Sequence, residues 1–144
     1  MWPKDQDEFV ANHIMPDGAD SSDAWYFVFI RGELVCKTVQ GAPEPITADD
    51  FRWFDAEVKS KHFLGHHGSM PCFAVRAAGA VPEGYALMPL RELLGRTSQS
   101  LFYLAGRAQQ IIEWHDTHQF CGRCGSPMQL HSQDRAMHCE SCGH

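Results

Sequence analysis

The chain has no apolar run approaching the ~18 residues that span a bilayer, and its first residues, Met1-Trp2-Pro3-Lys4-Asp5, hold no signal-peptide core. It has little positive charge: 12 Lys and Arg against 18 Asp and Glu, a formal net charge of −6. That balance argues against a free-standing nucleic-acid binder, which carries a basic surplus. Low-complexity tracts are missing too. A cytoplasmic, reduced setting away from membranes is the expectation. The 44% of hydrophobic and 21% of charged residues are those of an ordinary globular protein, and 144 residues suffice for one modest domain plus a small module.

Two copies of one phrase are present near the C-terminus: Cys121-Gly122-Arg123-Cys124-Gly125 and Cys139-Glu140-Ser141-Cys142-Gly143. Four thiolates in two C-x-x-C hooks can surround one tetrahedral zinc ion, so Cys121, Cys124, Cys139 and Cys142 are the expected ligands. Gly125 and Gly143 follow the second cysteine of each hook, where positive φ is cheapest. Arg123 and Arg135 are near enough in sequence to offset part of the −2 charge of such a site. A redox dithiol stands alone beside a strand-to-helix step, a setting neither hook has. Iron in a rubredoxin-like site is the remaining alternative, and a catalytic zinc would need an open position. His131 and His138 lie inside the ribbon and read as solvent-facing. Cys36 and Cys72 fall in apolar, strand-like segments and read as buried free thiols.

Residues 1–23 read as an irregular or partly helical lead-in. Ala24 to Lys37 reads as a β-hairpin turning at Arg31-Gly32-Glu33, and Gly41 to Pro45 as a loop. Thr47 reads as a helix cap, with Asp49 and Asp50 in the first turn and a short helix reaching Phe54, whose aromatics pack on the hairpin. His62 to Gly65 and Pro71 to Arg76 form a second strand pair, with His66 and His67 in an exposed loop between them. Tyr85 to Met88 is one more strand. Pro89 to Leu94 is a short helix ended by Gly95.

The clearest helix spans roughly Ser98 to Thr117. Leu101, Leu104, Ala105, Ala108, Ile111 and Ile112 recur at helical spacing on one face. Gly106 inside it costs about 1 kcal/mol against alanine, and a close approach by another backbone would explain it. His115 and His118 stand at the C-terminal end, where the helix dipole favours their protonated forms. The expected fold is α+β: a small mixed antiparallel-sheet domain with a long C-terminal helix, followed by a four-cysteine zinc ribbon. The expected divisions are 1–97, a connecting helix over 98–118, and the ribbon over 119–144.

The stretch Leu101-Phe102-Tyr103-Leu104-Ala105-Gly106-Arg107-Ala108, then Trp114-His115-Asp116-Thr117-His118-Gln119-Phe120-Cys121-Gly122-Arg123-Cys124-Gly125, resembles the middle of the NADH pyrophosphatases of the Nudix superfamily. Those enzymes have an N-terminal α+β domain, a zinc ribbon and a catalytic Nudix domain in series. The resemblance implies a parent enzyme that hydrolyses the diphosphate of NADH or NAD⁺ to nicotinamide mononucleotide and AMP. It also implies related activity on NAD-capped RNA, so that nucleic acid enters only as that substrate. Mg²⁺ or Mn²⁺ held by glutamates of the Nudix box supplies the chemistry, and a homodimer is expected.

The box, G-x5-E-x7-R-E-U-x-E-E-x-G-U, is not found in these residues. Placing its Arg-Glu on Arg91-Glu92 also matches Glu83 and Leu93. The first glycine then falls on Ala77, the metal-binding glutamates on Gly95 and Arg96, and the last Gly-U on Ser98-Gln99. No catalytic residue therefore carries over, and the expectation is a cut fragment or truncated gene product that is inert alone. The rival reading is a non-enzymatic zinc-ribbon module that binds nucleic acid or protein through the ribbon's arginines and histidines. A standalone active site within residues 1–100 has no constellation of spaced residues to support it.

Overall fold

In the computed structural model, the described residues are Trp2, 9–14 and 23–144. An eight-stranded mixed sheet carries the fold. Strand β2 (Trp25–Ile30) pairs in parallel with β7 (Met70–Gly79) and antiparallel with β3 (Glu33–Val39). Strand β6 (Ala56–His67) runs antiparallel to β7, and β1 (Phe9–Ala11) lines the far edge of β6. On the other side β4 (Ala42–Glu44) closes the order β1-β6-β7-β2-β3-β4. Short strands β5 (Ile46–Thr47) and β8 (Ala86–Met88) pair with β2 and β3.

β2 is apolar along its whole length because both faces of the sheet are covered. Side chains alternate across a strand. Trp25, Phe27 and Phe29 pack on one face with Leu34, Leu64 and the helix α2 (Gln99–Thr117). Val28 and Ile30 pack on the other with Val35, Ile46, Phe63, Phe73 and Val75. The six apolar residues of the α2 stripe are all buried against the first face. Ser98 caps this helix by accepting the Leu101 N–H. Gly106 does not follow its expectation: a Cβ there would meet nothing within 4 Å. No contact among the described residues explains that glycine.

The hairpin turn is tighter than expected. Arg31 and Gly32, with φ of 52° and 79°, form it alone, and Glu33 already pairs with Ile30. Both φ values are positive, as a two-residue turn matching strand twist requires. Gln40 and Gly41 repeat the device, so Ala42–Glu44 is a strand and not the expected loop. In the lead-in, Phe9–Ala11 is strand, not helix; its remaining residues, apart from Trp2, 12–14 and Asp23, lie outside the described set. At Gly65, φ +132°, a Cβ would fall 2.0 Å from the Val10 carbonyl, so the β1–β6 approach needs glycine.

Thr47 is the expected cap. Its hydroxyl accepts from the Asp50 N–H, and the Asp50 carboxylate accepts from the Thr47 N–H, a reciprocal box. The helix, α1, covers Ala48–Phe51 only. Phe51 packs on Tyr26 of the hairpin and Phe54 on Tyr85, while Trp53 is 75% exposed. Pro89 precedes a single 3-10 turn, Leu90–Leu93. Cys36 and Cys72 are buried free thiols, and burial pushes both up to about 12.

His66 and His67 are not in an exposed loop. Both belong to β6, pointing to opposite faces, and His67 is 1% exposed beneath the Trp2 ring, 4.6 Å away. Trp2 causes this. Its ring also packs on Trp25 and Phe27, and its backbone N–H donates to the Glu44 carboxylate at 2.7 Å.

Candidate metal centre

Beyond α2 the chain enters the two hooks. Each closes through a turn in which the glycine N–H donates back to the first cysteine's carbonyl: Gly125 to Cys121 and Gly143 to Cys139, both at 2.8 Å. Gly125 and Gly143 have φ of 80° and 77°, which a residue with a Cβ adopts at a cost. Strands β9 (Gln129–Leu130) and β10 (Met137–His138) pair antiparallel and bring the hooks together.

The four Sγ atoms of Cys121, Cys124, Cys139 and Cys142 all lie within 4.8 Å of one another. Across the hooks, Cys121 and Cys142 are 3.7 Å apart and Cys124 and Cys139 3.4 Å. A tetrahedron with Zn–S of ~2.3 Å has S···S edges of about 3.8 Å. A disulfide would need ~2.05 Å, so the sulfurs are spaced for a shared cation and not for each other. Among the described residues this is the only group of three or more candidate ligands.

The local field is uneven. Hydrogen bonds from the Ser126 hydroxyl and backbone lower the Cys124 thiol to about 6. Backbone N–H groups of Cys124 and Arg123 lower Cys121. For Cys142 the His144 backbone hydrogen bond pulls the same way, but burial and hydrogen bonding with the other three cysteines push it up to about 12. Four neighbouring sulfurs cannot all ionise without a cation between them. The cluster therefore suits a divalent ion that offsets half the charge of four thiolates.

Arg135 does not serve the sulfurs. Its guanidinium donates to the carbonyls of Phe63, on β6, and Asn12, just past β1. It ties the ribbon to the sheet, which removes half of the cationic patch that a nucleic-acid-binding ribbon would present. The His13 ring adds a contact to the Gln133 carbonyl at 2.6 Å. His131 accepts the N–H groups of Gln133 and Asp134 on Nδ1, and neither it nor His138 joins the sulfur cluster.

The Nδ1 of His118 lies 2.7 Å from the Trp114 carbonyl. His115 departs from the helix-end reading: burial lowers its pKa, and Arg76 adds to that against the opposing pull of Asp116. Its ring lies 4.7 Å from that of the buried His62. His62 is itself lowered to about 4 by burial, then by His115 and Arg135. Sequence reasoning missed this histidine pair, since β6 and α2 meet only in the fold.

Glu83, Arg91 and Glu92, the partial Nudix match, make no metal-binding group. Arg91 and Glu92 sit in the 3-10 turn before α2.

Two family models match. The NADH pyrophosphatase-like rudimentary NUDIX domain covers residues 23–114, and the NADH pyrophosphatase zinc ribbon domain covers 116–144. The chain is similar to a protein of Deinococcus radiodurans named NAD-capped RNA hydrolase NudC, 45% identical over 80 residues. That match takes in 56% of this chain and 29% of the relative. A protein of the same name from Stutzerimonas stutzeri is 40% identical over 85 residues, 58% of this chain and 31% of the relative. The chain thus spans about a third of the length of these relatives. No helix among the described residues is long and apolar enough to cross a membrane. With its sheet domain matched by one model and its four-sulfur module by the other, the chain belongs to the NADH pyrophosphatase-like NUDIX family.

Proposed function

We propose that these residues are the front portion of a NudC-type hydrolase. The whole enzyme would cleave the diphosphate of NADH or NAD⁺ to nicotinamide mononucleotide and AMP, and remove NAD caps from RNA. Its Mg²⁺ or Mn²⁺ site would lie in a Nudix module outside residues 1–144. Residues 1–97 form the N-terminal domain, 98–118 the connecting helix and 119–144 the ribbon. Cys121, Cys124, Cys139 and Cys142 hold a structural zinc ion that fixes the ribbon's shape. The portion positions the catalytic module and contributes to a homodimer in the cytoplasm.

One observation carries this reading: four sulfurs gathered within 4.8 Å, in a chain whose sheet and ribbon match two modules of one family. The names of the two relatives support the substrate class. The 144-residue chain is expected to release no AMP from NADH with Mn²⁺ present. Metal-dependent turnover above the blank would refute its inertness. Sequencing the transcript past the His144 codon tests the parentage. An in-frame Nudix box supports it, and an immediate stop codon contradicts it.

A further inference from the structure

Among the described residues, β2 and β7 are the one parallel pair in the sheet. In open α/β sheets, ligands bind in the crevice outside the carboxyl ends of the parallel strands, and this sheet has one such pair of ends. Here those ends open into a cavity of about 560 Å³ between the sheet and the C-terminal half of α2, within the range of small-molecule sites. Small residues make the space: Ala77, Ala78 and Gly79 end β7 where longer side chains would fill it. Gly79 is fixed by its own backbone, since at φ +145° a Cβ would lie 2.7 Å from the Asp55 carbonyl. Gln109 of α2 donates to the Gly32 carbonyl at 3.2 Å, which joins the hairpin turn to the helix and preforms the wall.

The lining is divided by charge. Arg31, Lys59 and Arg76 come from the turn, β6 and β7, while Glu113 and Asp116 come from α2. Asp116 holds Arg76 at 3.1 Å. Among the described residues Lys59 pairs only with the exposed Glu57, a weak surface contact. Arg31 has no ion-pair partner among the described residues, and it occupies a turn position with φ of 52° where Asn, Asp or Gly would be less strained. A cationic wall facing a carboxylate across an apolar floor of Phe29 and Ile112 matches a phosphate ester carrying sugar hydroxyls.

The geometry points to a binding site for a phosphorylated sugar or mononucleotide at the carboxyl ends of β2 and β7, its phosphate on Arg31, Lys59 and Arg76 and its hydroxyls toward Glu113. This site is separate from the metal centre and does not depend on the proposed diphosphatase activity.

The test is an amide chemical-shift titration of the zinc-loaded chain with AMP, adenosine and inorganic phosphate. AMP should give saturable shifts at Gly32, Ala77, Ala78 and Gly79. Arg31→Asn, which suits the positive φ, and Arg76→Gln should each weaken AMP roughly tenfold while the rest of the spectrum stays native. Adenosine binding as tightly as AMP would overturn the phosphate assignment. Inorganic phosphate binding as tightly as AMP would overturn the sugar assignment. Absence of saturable shifts in the cavity up to about 10 mM AMP would overturn the site itself.

Discussion

The sheet domain and the ribbon reach order by opposite routes. The first buries Phe27, Ile30, Leu34, Leu64 and Leu104 completely, on two faces of one sheet. In residues 119–144 only Cys121 and Cys139 are buried, while Phe120 is 68% and Leu130 49% exposed. Apolar burial contributes ~25 cal/mol per Å², and the ribbon has little area to contribute. Its stability has to come from the cation that its sulfurs are spaced to hold. The two regions of one chain should therefore fail under different insults.

The sharpest break is metal removal. Chelation at pH 7 should melt the ribbon, removing a contribution on the order of 10 kcal/mol, while the amide signals of the sheet persist. Ribbon signals unchanged in metal-free protein would end the contrast. The converse variant is Phe27→Ala, a large deletion at a fully buried site, expected to cost ~3–5 kcal/mol of sheet stability. Urea unfolding should record it, and elemental analysis of the folded fraction should still find one zinc per chain.

Acid acts on the junction between the regions. His62 in the fold is lowered from 6.5 to about 4, so the unfolded chain binds its proton more tightly. Stability from the neutral ring is complete above about pH 6.5 and falls as pH drops toward 4, by up to ~3 kcal/mol. His115, lowered by burial, adds in the same direction. Urea midpoints at stepped pH should slope accordingly, and His62→Phe should flatten the slope. The smallest effect is at Gly106: with open space around it, Gly106→Ala should raise stability by about 1 kcal/mol, read as an increase in Tm of the sheet domain alone.

What was legible in the sequence was local. The hooks, the Thr47 cap and the stripe from Leu101 to Ile112 each rest on spacing within a few turns of chain, and each is found in the fold. What was not legible depended on distant partners. His67 looked like a loop residue because its burial comes from Trp2, 65 positions away in sequence and 4.6 Å away in space. Arg135 looked like a counter-charge for the sulfurs because nothing nearby in sequence marks the Phe63 carbonyl as its acceptor. Pro43 hid β4, although an edge strand admits proline. The cavity beneath α2 was invisible because the parallel pairing of β2 with β7 skips every strand between them.

That pairing also sets a timetable for folding. The hairpin of β2 and β3 can form early, yet β2 must wait for residues 70–79 to complete its other edge, and for Gln99–Thr117 to roof its face. Non-local pairing of this kind slows a domain's approach to the native state. During synthesis, the aromatic face of β2 therefore stays uncovered until about four-fifths of these residues, through Thr117, have left the ribosome. That interval is when the nascent chain is most open to aggregation or to chaperone capture.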